Sequence, residues 1–85
     1  MTRDDLLERL RAILVSEFEL TADQVTEQAR LVEDLDLDSI DGVSIVVRVE
    51  SQLGIVLTDE EIAAMSTVGD VLDALEQRLG GASRA

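Results

Sequence analysis

The chain has 85 residues, of which 19 are acidic and 7 are arginine, and its net charge is −12. This length fits one small domain, and the charge opposes binding to nucleic-acid phosphates or to anionic membranes. It favours partner proteins with basic patches. There is no apolar run long enough to span a membrane and no signal-peptide pattern at the start. We therefore expect a cytoplasmic protein without membrane insertion.

A first helix is predicted over residues 3–17. Thr2 suits the N-cap position, and acidic side chains in the first turn favour the positive end of the helix dipole. Arg9 and Arg11 lie off the apolar stripe, so we expect both in solvent. The stripe follows helical spacing and consists of Leu6, Leu7, Leu10, Ile13, Leu14 and Phe18, the only aromatic residue.

Helical periodicity lapses between Glu19 and Asp38, where we predict a long loop with a short turn at Thr21–Asp23. A loop of this length is unusual in a compact domain and often has a function. The apolar residues expected to anchor it are Val25, Leu31, Val32, Leu35 and Leu37.

A second helix is predicted from Ser39 to about Leu53, with Gly54 as its C-terminal stop. Its apolar residues are too widely spread around the helix for a single core face. Either the helix is buried on two sides, or part of it is exposed for a partner. The positions concerned are 40, 43, 46, 47, 49 and 53.

A short third helix is predicted after Thr58, which forms a capping-box pattern with Glu61. A fourth helix begins after Thr67 and is expected to end at Gly80-Gly81. The prediction is an all-α four-helix bundle with three longer helices, a short third one, and a long loop between the first two. Residues 1–80 form the domain, and residues 81–85 form a frayed tail.

The residues around Ser39 and the composition of the chain argue against a catalytic site and against a metal site. A nucleophilic serine needs a base within hydrogen-bond reach, and the chain has no histidine, lysine or cysteine. The acidic run from Asp34 to Asp38 begins like a calcium-binding loop. That loop requires glycine where Ser39 stands and glutamate where Ile45 stands. We therefore predict neither a catalytic site nor a metal site.

The segment Leu31–Asp41 resembles the acyl carrier protein family, in which an acidic, leucine-anchored loop ends in Asp-Ser-Leu at the start of the second helix. The resemblance implies that Ser39 carries 4′-phosphopantetheine, transferred from coenzyme A by a phosphopantetheinyl transferase. The thiol of that arm would hold acyl groups as thioesters. A plain N-cap is the alternative role for Ser39, unless Asp38 caps instead. The likeness continues through Val49-Glu50, Leu53–Ile55, Thr58–Glu61 and Thr67-Val68.

The resemblance also implies a monomeric, non-catalytic carrier that acyltransferases, ketosynthases and other acyl-processing enzymes recognise through basic patches. Asp38, Asp41 and Glu50 match acids that meet such patches. Ile40 and Val47 match exposed apolar positions, although ordinary core packing is the alternative for Val47. The residues expected in the core are Ile45, Val46, Val49, Leu53, Ile62, Val68 and Leu72.

The second helix departs from the family pattern in its charge. Arg48 places a cation in its middle, and Ile40 replaces the commoner leucine. Because charge complementarity governs partner choice, we slightly favour polyketide or specialised lipid biosynthesis over general fatty-acid synthesis. An aminoacyl or peptidyl carrier is an alternative, less favoured because Asp36-Leu37 replaces paired glycines. An unmodified acidic adaptor or cation-binding module is the alternative of another class.

Overall fold

The computed structural model describes residues 2–84, with the side chains of residues 2–79. In this part of the chain the all-α prediction is confirmed. Four α-helices follow one another, and a single 3₁₀ turn, Ala22–Gln24, lies in the long first loop. None of these helices combines the length and apolar character needed to cross a bilayer. The helices are α1 (Arg3–Glu17), α2 (Ser39–Leu53), α3 (Asp59–Ala63) and α4 (Val68–Arg84).

Local capping sets the starts of the helices. In α1, Thr2 Oγ1 accepts a hydrogen bond from Asp5 N at 3.2 Å, and Thr2 N donates to the Asp5 carboxylate at 3.1 Å. Thr58 and Glu61 form the same reciprocal pair at the start of α3. Each pair satisfies amides that the helix itself leaves unpaired. The caps predicted at Thr2 and Thr58 are confirmed.

An aliphatic core joins the helices. Helix α1 packs against α2 and α4, and α3 packs against α2. Six of the seven predicted core residues are buried, but Leu53 is only half-buried at the margin of the core. Leu53 is the last residue of α2 and packs against the core from its edge. The buried six are Ile45, Val46, Val49, Ile62, Val68 and Leu72.

The long first loop is held to the connection between α3 and α4 by backbone hydrogen bonds. Leu31 N donates to Ser66 O at 2.9 Å, and Val68 N donates to Ala29 O at 3.0 Å. These bonds are made between segments more than thirty residues apart, so the loop is a fixed part of the fold. It therefore delivers the start of α2 at a defined place.

Arg11 binds the first loop to α1, a role that its position off the apolar stripe did not predict. Its guanidinium donates to Val25 O through Nε at 3.2 Å and Nη2 at 3.0 Å. The expectation that Arg11 lies in solvent was wrong, whereas Arg9 is exposed. The aliphatic stem of an arginine packs along apolar surface while its planar head reaches a carbonyl, and here the head binds the loop backbone.

Arg3 joins α1 to both the first loop and α4. Its guanidinium contacts Glu27 at 2.8 Å, Asp73 at 2.8 Å, and Glu76. These partners raise the pKa of Arg3, the hydrogen bond with Glu27 first among them. In a chain of net charge −12, the arginine removes repulsion among three carboxylates that the fold brings together.

The end of α4 differs from the prediction. Gly80-Gly81 was expected to stop the helix, but α4 continues to Arg84. Glycine lowers helix stability by about 1 kcal/mol relative to alanine, which weakens a helix without obliging it to end. A glycine stop requires the left-handed conformation, as at Gly54, where φ is 70°. A frayed tail was predicted for residues 81–85. The side chains of residues 81–84 and the whole of Ala85 lie outside what the structure describes.

Candidate functional site

A tight turn in the first loop leads directly into α2. Leu35 N donates to Arg30 O at 3.0 Å, and Leu37 N donates to Leu31 O at 2.9 Å. Between them, Asp36 has a positive φ of 56°, which aspartate tolerates better than most residues. The apolar side chains of this turn are buried, except that Val32, predicted as an anchor, is 66% exposed.

Asp38, and not Ser39, caps α2. Its carboxylate accepts a hydrogen bond from Asp41 N at 2.9 Å, and Asp38 N donates to the Asp41 carboxylate at 3.0 Å. Ser39 follows as the first helical residue and is exposed. No group among residues 2–79 forms a hydrogen bond with Ser39 Oγ. The hydroxyl is therefore not needed for the cap, and the plain N-cap role for Ser39 was wrong.

The start of α2 is suited to a phosphate ester on this hydroxyl. The amides of Ser39 and Ile40 have no acceptor within the part of the chain described, whereas Asp41 N is bound by the cap. Free amides and the helix dipole favour an anion at such an end by about 0.3–1 kcal/mol. An exposed, unbonded hydroxyl and free amides beside it are what a phosphodiester-linked arm requires.

A cavity of about 440 Å³ opens beside Ser39, between α2, α3 and the first loop. Its walls are mainly aliphatic, and carboxylates of Asp38, Asp59 and Glu60 border it. An aliphatic interior excludes water and favours apolar groups. The cavity and the serine thus share one end of the bundle. Its apolar lining consists of Leu31, Val32, Leu37, Gly42, Val43, Ile45, Ile62, Ala63 and Met65.

The outer face of α2 carries apolar side chains in water. Ile40 is 75% exposed, Val43 42% and Val47 57%, and their spacing places them on one face of the helix. The core alternative for Val47 was therefore wrong. Of the two possibilities for α2, an exposed apolar face and not burial on two sides is observed. Val43 was among the apolar positions that spread around α2, but it was not predicted as a recognition residue, although the spacing 40, 43, 47 would have identified it.

The residues predicted to recognise partners, apart from Val47, are divided between the first turn of α2 and its C-terminal half. Asp38, Ile40 and Asp41 meet in the first turn. Arg48 and Glu50 lie near the last turns and on opposite flanks of the apolar face, because 100° per residue places them well apart. Arg48 Nε contacts Glu17 Oε1 of α1 at 2.5 Å. That ion pair was missed from the sequence because it depends on how α1 and α2 pack.

The acids that resemble a calcium loop are engaged with the backbone. The Asp34 carboxylate accepts a hydrogen bond from Arg30 N at 2.8 Å, while Asp38 and Asp41 form the cap of α2. Within the described residues, no three acidic side chains come together in a way that would hold a metal ion.

Comparison with known proteins identifies the family. A family described as a phosphopantetheine attachment site matches residues 8–75. The acyl carrier protein of Thermotoga maritima is 34% identical over 79 residues, covering 93% of this chain and 98% of that protein. Acyl carrier protein 2 of Ralstonia nicotianae is 39% identical with the same coverage.

A solved structure gives the same result. The acyl carrier protein of Enterococcus faecalis, whose structure was described for its high thermal stability, superposes with a TM-score of 0.73 at 33% identity. The match covers 92% of this chain and 99% of that one. This chain therefore belongs to the acyl carrier protein family, whose members carry a covalently attached 4′-phosphopantetheine.

Proposed function

We propose that this chain carries acyl groups as thioesters on a 4′-phosphopantetheine arm attached to Ser39. The observation that carries the proposal is the free Ser39 hydroxyl, which Asp38 releases by taking the cap of α2. When bound, the arm supplies the thiol that this cysteine-free chain lacks. The chain itself contributes the attachment point, the local field and the surrounding surface, and acts as a substrate of its partner enzymes.

The chemistry of attachment follows from these residues. Ser39 Oγ forms a bond to the pantetheine-bearing phosphorus of coenzyme A, the pyrophosphate bond breaks, and adenosine 3′,5′-bisphosphate leaves. The hydroxyl proton passes to the transferase, because this chain has no histidine, lysine or cysteine to accept it. The free amides at the start of α2 then face the new phosphodiester.

Intact-mass analysis tests the attachment site. After incubation with coenzyme A and a phosphopantetheinyl transferase, the wild type should gain the mass of one arm, and Ser39→Ala should gain none. Ser51→Ala is the matched control, since Ser51 is an exposed serine on the same helix. An unmodified wild type, or a modified Ser39→Ala variant, would refute the proposal.

We further propose that the outer face of α2 receives the partner enzymes. Its apolar residues Ile40, Val43 and Val47 remain in water in the isolated chain. Asp38 and Asp41 beside Ser39 suit a basic patch on the transferase, acyltransferase or ketosynthase. The arrangement supports docking in which apolar contact supplies affinity and the acids guide the approach.

Arg48 supports a specialised pathway, such as specialised lipid or polyketide synthesis. Its side chain is 49% exposed, and an ion pair with Glu17 holds it beside the apolar face of α2. Arg48→Glu should raise kcat/KM with enzymes of general fatty-acid synthesis by about 1.5- to 5-fold, the value of an exposed charge pair. Arg9→Glu on α1 changes the net charge equally and should have no such effect. Equal rates for both variants would contradict the role of Arg48.

A further inference from the structure

Arg48 is an exposed cation that the fold holds by one edge of its guanidinium. Its Nε contacts Glu17 Oε1, at the end of α1, at 2.5 Å. Within the described residues, neither Nη group of Arg48 donates a hydrogen bond, whereas in Arg11 and Arg78 both Nη groups are bonded inside the fold. The Nη groups can bind a carboxylate through two parallel hydrogen bonds. The part of Arg48 best suited to an acidic ligand is therefore unused within the fold.

Stability does not explain the ion pair with Glu17. The side chain of Arg48 is 49% exposed, and ion pairs at such exposure contribute little to stability. Glu17 is the last residue of α1, the end at which the helix dipole disfavours a carboxylate. What the contact provides is a fixed direction for the arginine. Less conformational freedom is then lost when the Nη groups bind a partner.

Asp41 and Arg48 place opposite charges on one flank of α2. Seven residues at 100° each bring Arg48 to within about 20° of Asp41, and the rise of the helix separates their Cα atoms by about 10 Å. Asp41 lies in the first turn, beside Ser39. This flank is therefore negative near the attachment site and positive farther along the helix.

We propose that Arg48 binds a carboxylate on the docking face of a partner enzyme, about 10 Å from the basic group that meets Asp41, and that Glu17 is a positioning residue for this contact. The inference rests on the proposed function, in which α2 receives the partner enzymes. Two opposite charges allow one orientation of the partner along α2 and oppose the reverse one. A docking face that is basic along its whole length is repelled at Arg48. The partner selected carries both signs of charge.

Charge reversal on a partner enzyme tests this inference. The probe is a ketosynthase of general fatty-acid synthesis whose basic docking residues are replaced by glutamate one at a time. One replacement should lower KM for the wild-type carrier by about 2- to 10-fold and raise KM for Arg48→Glu, with kcat unchanged. The control Arg9→Glu should behave as wild type. Glu17→Gln should lose at least half of the gain while its Tm stays within about 4 °C of wild type.

Cross-linking locates the contact without relying on turnover. The chain has no lysine, so Arg48→Lys introduces its only side-chain amine. A carbodiimide joins an amine to a carboxylate in contact with it, with loss of water. In Arg48→Lys combined with Glu17→Gln, which removes the internal carboxylate, the amide should form with the glutamate of the ketosynthase variant. Arg9→Lys should form no such amide.

Three outcomes would count against these assignments. The absence of any ketosynthase replacement with opposite effects on wild type and Arg48→Glu, or of the cross-link, would overturn this inference alone. An undiminished gain in Glu17→Gln would overturn the positioning role of Glu17. Failure to load Ser39 would overturn the proposed function with it.

Discussion

Val47→Asp separates recognition from folding, because Val47 has a closely matched control. Val47 is 57% exposed on α2, and Val56 is 58% exposed in the connection between α2 and α3. Replacing either by aspartate changes the net charge equally and exposes a similar side chain. Only Val47 lies on the outer face of α2 that we propose as the docking surface.

The size of the effect follows from the exposed fraction. Burying a whole valine side chain is worth about 1.5–3 kcal/mol, and somewhat more than half of Val47 is still available to a partner. Losing that contact should cost about 1–2 kcal/mol, which lowers kcat/KM for arm transfer by about 5- to 30-fold. Val56→Asp should transfer the arm at the wild-type rate. Exposed substitutions change stability by at most about 0.5 kcal/mol, so both variants should keep a Tm within about 4 °C of wild type.

The assay is the initial rate of arm transfer, followed by intact mass against protein concentration, together with thermal unfolding of both variants. Equal losses in the two variants would mean that added negative charge, and not the α2 face, is responsible. A collapse of helicity in Val47→Asp alone would show that Val47 supports the fold. Either result would refute the assignment of the docking surface.

Three other predictions concern stability. Arg3→Gln should lower the free energy of unfolding by about 1–2 kcal/mol, because three partly exposed ion pairs are lost. The control Arg9→Gln should change it little. Equal changes in the two variants at low salt would contradict this prediction. Asp36→Ala should be about 1 kcal/mol less stable than Asp36→Gly in urea unfolding, because the positive φ at this position strains any residue with a Cβ atom. Equal stabilities of the two variants would contradict this backbone strain. Hydrogen bonds from the amides of Ser66 and Thr67 lower the pKa of Asp70. The ionised Asp70 carboxylate therefore stabilises the fold fully above pH 3.8, its ordinary pKa, and this stabilisation is lost as the pH falls through the lowered pKa. Urea unfolding of Asp70→Asn should therefore differ from wild type at pH 7, begin to converge with it as the pH falls below 3.8, and match it only below the lowered pKa. A constant difference would contradict the assignment.

The starts of the helices could be predicted because their causes are local. A capping pair spans three residues, so Thr2 with Asp5 and Thr58 with Glu61 are visible in the sequence. Ser39 was also placed correctly at the start of α2. The end of α4 was not predictable, since Gly54 and Gly80 look alike in sequence and differ in the backbone conformation that the surroundings impose.

The features that depend on how the helices pack could not be predicted from the sequence. The contact of Arg11 with Val25 O and the pairing of Arg48 with Glu17 each join segments that only the folded chain brings together. The apolar excess of α2 did indicate either two buried sides or an exposed face. Choosing between them needed the exposure of Val47, which is set by what the other helices leave uncovered.

The arrangement of the arginines explains how an acidic chain can be both stable and open to basic partners. Arg3, Arg11 and Arg78 all donate to backbone carbonyls. Arg11 and Arg78 bind the loop carbonyls of Val25 and Val56 and so hold loops to helices, whereas Arg3 binds Gly69 O and joins α1 to the start of α4.

None of these three cations lies on α2 near Ser39, where Asp38 and Asp41 set the local field. The fold thus places these positive charges where they relieve repulsion between segments and leaves the attachment site negative. Association with a basic transferase should therefore slow as salt is added, because screening acts on the exposed acids around Ser39. A loading rate independent of ionic strength would show that this field does not guide the encounter.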